Sequence, residues 1–215
     1  SEAWRPYKMN FLRANFLNLL PLLLIVVTSL LLYPDLPDAL PGSFDFDGEV
    51  QRTSPKLLMV VLMPAGFVGL VLAINLLIRI SPHKYSLPNS KRPMDIILFG
   101  MGTLMGFIHF ALLLNDGDVQ LFVFYFSYGM AAFLIIVGNV IEKIERNFFV
   151  GLRLPWPLAS TVNWRASHRF AAKLMVAGGV ILLISNTLYS NLIVTIVIAI
   201  STVLIPVLYS LVYFL

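Results

Sequence analysis

The sequence predicts an all-α integral membrane protein with six transmembrane helices and both termini cytoplasmic. Three observations carry that expectation: scarce charge, long charge-free runs, and loops sorted by the sign of their charge. Of 215 residues, 59% are hydrophobic and only 12% are charged. A soluble domain is nearer half apolar and about a quarter charged, so an ordinary globular enzyme is excluded. Disordered and nucleic-acid-coating chains need many more charges, and no direct nucleic-acid partner is expected. Cysteine is absent, so no disulfide framework exists.

The spans follow in order. A hydrocarbon core of about 30 Å takes roughly 20 apolar helical residues to cross. Uncharged runs of this kind are Asn15–Tyr33, Leu57–Ile78, Ile96–Asn115 and Val119–Ile141. The fifth run, Leu174–Leu215, has 42 residues without a charge. As one helix it would extend about 63 Å, twice the core thickness, so it divides into two spans. The polar cluster Ser185, Asn186, Thr187, Ser190 and Asn191 marks the reversal. The first run is longer than a signal-peptide core. Pro34-Asp35-Leu36-Pro37 follows it without a cleavage-like site, which predicts a retained anchor.

Orientation comes from the basic residues. The N-terminal segment and the loops after spans two and four hold 13 of the 15 Lys and Arg residues. Only Arg52 and Lys56 fall on the other side, which holds seven of the eleven acids: Asp35, Asp38, Asp45, Asp47, Glu49, Asp116 and Asp118. The expected organisation is a single membrane domain over 1–215, with an extracytoplasmic loop at 34–56 and a basic, aromatic cytoplasmic loop at 142–173.

An ionisable group inside a span is a functional candidate, because hydrocarbon penalises charge. His109 is the one well inside; Asp95 lies at a span edge beside Arg92 and reads as an interfacial pair. Asn75, Asn139 and Asn186 are placed to bond between helices. Gly102 and Gly106 have the G-x-x-x-G spacing that permits close helix approach, within the bundle or between copies. Pro21, Pro64 and Pro206 sit within spans.

In the outer loop, the prolines at 34, 37 and 41 favour an extended or turning chain. Asp45-Phe46-Asp47-Gly48-Glu49 suggests calcium, but alignment on Gly48 puts Ser43 and Ser54 at the first and last EF-hand positions. The bidentate carboxylate is therefore missing. Phe44 and Phe46 alternate with Asp45 and Asp47, as in a short strand lying on the helices or the membrane surface. In the inner loop, basic residues alternate with Phe and Trp, the pattern of an interfacial anchor touching lipid headgroups. Ser160 or Thr161 is placed to cap a helix leading into span five, which would align Trp164 with His168 and Arg165 with Arg169. No catalytic constellation stands out. His83, His109 and His168 lack metal-ligand spacing, so neither metal nor cofactor is expected.

These two loops resemble the SdpI family, the bacterial immunity proteins of the sporulation-delaying toxin system. The outer loop is similar to L-P-x-x-x-P-x-H-[FW]-x-x-x-G-E through Leu36, Pro37, Pro41, Phe44, Gly48 and Glu49. The inner loop is similar to G-N-x-x-x-K-I-x-x-N-x-x-x-G-[IL]-R-T-P-W-T-L, then Trp and H-R. The matching positions are Gly138, Asn139, Lys143, Ile144, Asn147, Gly151, Arg153, Pro155, Trp156, Leu158, Trp164, His168 and Arg169. Ser43 stands at the usual histidine, and Leu154 and Pro157 replace threonines.

The resemblance implies a non-catalytic inner-membrane protein that protects against a membrane-active peptide toxin and holds a cytoplasmic regulator at the membrane. The expected inner-loop residues are Asn139, Asn147, Arg153, Trp156, Trp164, His168 and Arg169. Those expected to face a peptide outside are Pro37, Pro41, Phe44, Asp45, Asp47, Gly48 and Glu49. Two rivals stand beside this reading. A transporter or lipid-handling permease needs His109, Asn75 or Asn186 to converge on a cavity. A headgroup-directed membrane enzyme would act near His168, Arg169 and Arg153.

Overall fold

The computed structural model describes residues 15–45, 49–80, 91–114, 117–147 and 150–215, without the side chains of Phe44, Lys91 and residues 77–80. Phe46, Asp47, Gly48, His83 and Asp116 lie outside the described residues, as do Arg5, Lys8, Arg13 and Lys84. The helices are α1 (Phe16–Leu32), α2 (Lys56–Ile80), α3 (Lys91–Leu114), α4 (Val119–Ile141), the short α5 (Pro155–Ala159), α6 (Thr161–Leu188) and α7 (Leu192–Phe214). Between α1 and α2 lie β1 (Ala39–Phe44) and β2 (Val50–Pro55). Six of these helices, all but α5, are long and apolar enough to cross a membrane.

Local chemistry sets several ends. Asp118 caps α4 by accepting from Gln120 N at 2.8 Å. Asn191 caps α7, accepting from Ile193 N and Val194 N at 2.9 and 3.2 Å, so the reversal falls inside the expected polar cluster. Ser160 caps α6, accepting from Asn163 N at 3.3 Å.

Helix α6 thus begins well before the charge-free run at Leu174. The reason lies in the spacing of Arg165, Arg169 and Lys173, which recur every four residues and stay exposed along one side. Charge so placed leaves the helical ladder intact and reaches toward water. The 28 residues of α6 extend about 42 Å, more than the hydrocarbon needs, so its first turns belong to an interfacial lobe.

Helices α3, α4 and α6 pack side by side; α7 lies on α6, and α1 and α2 lie on α3. The outward faces of α1, α2 and α7 expose Leu, Ile and Val, the surface a lipid solvent requires. Polar pairs join the helices within this apolar frame. Asn75 Nδ2 donates to Asn15 Oδ1 at 3.0 Å, Ser127 and Thr195 hydroxyls lie 2.6 Å apart, and Asn186 Nδ2 donates to Phe124 O at 3.1 Å. Such bonds contribute about 1 kcal/mol each. The G-x-x-x-G surface is used internally. A Cβ on Gly102 would sit 2.5 Å from Phe67 Cζ and 2.9 Å from Pro21 Cγ, so only glycine lets α1 and α2 close on α3 here.

Strands β1 and β2 form an antiparallel hairpin, with Leu40 opposite Ser54 and Phe44 opposite Val50. The strand therefore starts before the Phe/Asp alternation that suggested it. Leu36 and Leu40 insert into a cluster with Met59, Val60 and Leu113 at the ends of α2 and α3. Apolar contact with the helix ends, rather than the alternation, selects the strand. Lys56 ties the segment down: its backbone N–H donates to Asp38 O at 3.0 Å, and its ammonium lies 3.3 Å from Asp38 Oδ1.

Candidate functional site: an interfacial lobe and an opposite hairpin

At the end where α4 finishes and α6 begins, the chain folds into a small lobe centred on Trp164 and His168. Spaced one turn apart, their rings stack with centroids 4.0 Å apart. Both are buried, so they form the interior of the lobe. Trp164 Nε1 donates to Ile144 O at 2.9 Å, tying α6 to the end of α4. The His168 ring spans two bonds. Leu152 N–H donates to Nε2 at 3.2 Å, which makes Nε2 an acceptor and places the proton of the neutral ring on Nδ1. Nδ1–H then donates to Trp164 O at 2.8 Å.

The loop closes over these rings at Gly151. Its φ is +109°, a conformation that favours glycine, and a side chain there would collide with His168 and Trp164. Asn147 holds the preceding turn. Its Nδ2 donates to Glu145 O at 2.8 Å and Val150 O at 3.2 Å, and its Oδ1 accepts from Val150 N at 2.8 Å. Arg146 Nη1 donates to Leu158 O at 3.0 Å, pinning α5 to the loop.

The expected inner-loop residues thus divide. Asn147, Trp164 and His168 form the interior. Arg153 and Arg169 are exposed beside Arg165, and Trp156 is half-buried. Asn139 stands apart. Its neighbour Gly138 packs against Val176 and Met175 of α6, while Asn139 is exposed on the other side of α4 and lines a cleft with Arg92.

A second polar cluster was not singled out from the sequence. Asn163 Nδ2 donates to Ser210 O at 2.9 Å, Ser210 Oγ donates to Asn163 Oδ1 at 2.9 Å, and Ser167 Oγ donates to Asn163 Oδ1 at 2.7 Å. All three residues are buried between α6 and α7. The available signal was the four-residue spacing of Asn163 and Ser167, which parallels that of Trp164 and His168.

At the opposite end, the hairpin presents exposed Pro37, Asp45 and Glu49, while Pro41 is buried. Asp45 Oδ1 accepts from Glu49 N at 2.9 Å, and Asp45 N donates to Glu49 O at 3.0 Å, which closes the turn. Gln51, Arg52 and Thr53 of β2 are exposed.

His109 lies under this end, its Nε2 2.7 Å from Ser29 Oγ, with Ser29 also near Val60 O at 3.2 Å. Asn75 bonds to Asn15 near the other end, and Asn186 bonds to Phe124 O across the α4–α6 contact. The three side chains occupy separate helix contacts and do not converge on one cavity. Among the described residues no group of three His, Asp or Glu side chains is placed to hold a metal ion.

Six apolar helices, an interfacial polar lobe and a hairpin on the opposite helix ends define a multi-pass helical membrane protein, the architecture of the bacterial inner membrane. Family comparison agrees. The SdpI/YfhL protein family matches residues 143–210, the segment that builds the lobe and the last two spans. A domain of unknown function, DUF1648, matches residues 20–68, which contain the hairpin. Immunity protein SdpI of Bacillus subtilis (strain 168) is 23% identical over 194 residues, covering 87% of this chain and 88% of that protein. The chain thus resembles the SdpI family, in its last third by family model and along most of its length by this relative. No solved structure matches the chain.

Proposed function

We propose that the chain is a bacterial immunity protein that protects its cell from a membrane-active peptide, with both termini cytoplasmic. The carrying observation is the similarity to Immunity protein SdpI along nearly the whole of both chains. The architecture supports it. The hairpin is attached through Leu36 and Leu40 yet keeps Gln51, Arg52 and Thr53 of β2 exposed. An exposed strand edge with acidic groups at its turn suits a cationic or amphipathic peptide, because unpaired backbone groups and negative charge both attract it. The lobe at the other end exposes Arg153, Arg165 and Arg169, a basic surface suited to a cytoplasmic regulator or to lipid phosphates.

The test is complementation. A Bacillus subtilis strain lacking its own SdpI is given this chain, challenged with the toxin of that system, and followed by membrane depolarisation and survival. The wild-type chain restores survival. A variant with 39–55 replaced by a Gly/Ser linker, at equal membrane abundance, does not. Absence of protection by the wild-type chain at normal membrane abundance defeats the immunity reading. Full protection by the linker variant defeats the hairpin's part in it.

A further inference from the structure

Where α1 and α3 begin and α4 ends, a cleft of about 590 Å³ opens at the membrane end that carries the lobe. Its size lies within the range of about 300–1,000 Å³ typical of small-molecule sites. The lining is ordered by depth. Arg92, in the first turn of α3, and Asn139, in the last turn of α4, stand near the mouth with Asp95. Phe99 and Ile136, a turn or more further into the bundle, form an apolar floor, and Phe16 forms the side.

We infer that this cleft binds one phospholipid of the adjacent leaflet, its phosphate on Arg92 and an acyl chain along Phe99 and Ile136. Three arguments carry this. First, Arg92 supplies a planar set of donors matched to phosphate oxygens. Second, it does so at the mouth of a cleft whose deeper lining, Phe99 and Ile136, is apolar. Third, Asn139 uses one N–H on Ile135 O at 2.7 Å, and its amide nitrogen carries a second beside the same mouth. A charged mouth above an apolar floor matches the order of groups along a phospholipid lying in its own leaflet. A soluble anion would leave the floor empty, and a wholly apolar ligand would leave the donors of Arg92 and Asn139 unused. The inference explains why Asn139 faces away from the lobe that follows it in sequence, and it stands apart from the immunity reading.

The experiment uses the full chain in detergent micelles, titrated with phosphatidylglycerol and read by native mass spectrometry as lipid retained per chain. Saturation at one lipid per chain is expected. Arg92→Gln weakens binding about tenfold, the loss of one charge-assisted contact. Ile136→Trp, which fills the floor and leaves the charge, also reduces occupancy. Thermal unfolding of both variants in the same detergent confirms that they fold; if Arg92→Gln does not, Arg92→Lys takes its place, expected to bind more weakly through loss of the planar fork. Equal binding by folded wild type and Arg92→Gln overturns the proposal. So does equal competition by diacylglycerol, which lacks the phosphate, or by glycerol phosphate, which lacks the chains.

Discussion

The two ends of the molecule differ in how they hold irregular chain at a membrane surface. The hairpin is attached by apolar side chains, Leu36 and Leu40, set among Met59, Val60 and Leu113, and its polar groups remain outside. The lobe packs Trp164 with Ile141, Ile144 and Ala172 and adds hydrogen bonds between buried polar groups, with His168, Asn147 and Asn163 also interior. An apolar attachment leaves polar atoms available to a partner. A buried polar network uses those atoms on itself and fixes one geometry. The hairpin therefore keeps Gln51, Arg52 and Thr53 exposed, while the lobe's buried polar groups serve its own architecture beneath exposed Arg153, Arg165 and Arg169.

The largest expected effect breaks the lobe. Trp164→Ala removes a buried ring and leaves Ile144 O without its donor, a loss of about 3–5 kcal/mol. Trp164→Phe keeps most of the packing and loses chiefly the hydrogen bond, about 1–3 kcal/mol. Thermal unfolding in detergent ranks the two variants against wild type. Equal midpoints for Trp164→Phe and wild type would show that the bond to Ile144 contributes nothing. The comparison between the ends would then lose its lobe half.

A smaller effect separates attachment from contact at the hairpin. Leu40 is 1% exposed and anchors β1 among Leu36, Met59, Val60 and Leu113. Leu40→Ala costs about 2–3 kcal/mol, but locally, because the helices below retain their own packing. Hydrogen exchange is expected to rise across 39–55 and to stay unchanged across α4 and α6. A rise that includes α4 would mean the hairpin is part of one cooperative unit, and the contrast drawn above would fail.

Much of this arrangement is legible in the sequence, and for physical reasons. Hydrocarbon tolerates almost no charge, so the spans declare themselves as uncharged runs, and the reversal at Asn191 follows from the length of the last run together with its polar cluster at 185–191. The start of α6 was not legible that way. Charges every four residues, at Arg165, Arg169 and Lys173, break a hydropathy run without breaking a helix. In the site, the Trp164–His168 alignment follows from spacing, but their burial does not. An aromatic and a histidine one turn apart read equally as a surface face or a core. What decides is the return of the loop at Gly151, a tertiary contact. The Asn163–Ser210 pairing joins residues 47 apart in sequence, and no local pattern announces it. Asn139 shows the same limit, because its place beside Gly138 hides the fact that neighbouring positions on a helix face different partners.

The smallest expected effect on stability sharpens the other half of the comparison. Arg165 and Arg169 are exposed one turn apart on α6, while Trp164 and His168 on the next strip of the same helix are buried. Removing both charges by Arg165→Gln and Arg169→Gln leaves the network beneath untouched, so unfolding changes by no more than about 0.5 kcal/mol. If this surface holds a cytoplasmic regulator, recruitment falls even though the fold does not. The measurement is the membrane fraction of a fluorescently tagged repressor from the Bacillus subtilis system, with the toxin present and the two proteins at equal abundance. Loss of recruitment with an unchanged unfolding midpoint assigns the arginines to contact. Retained recruitment would remove the exposed α6 strip from the interface and leave Arg153 as the basic group of the lobe to test next.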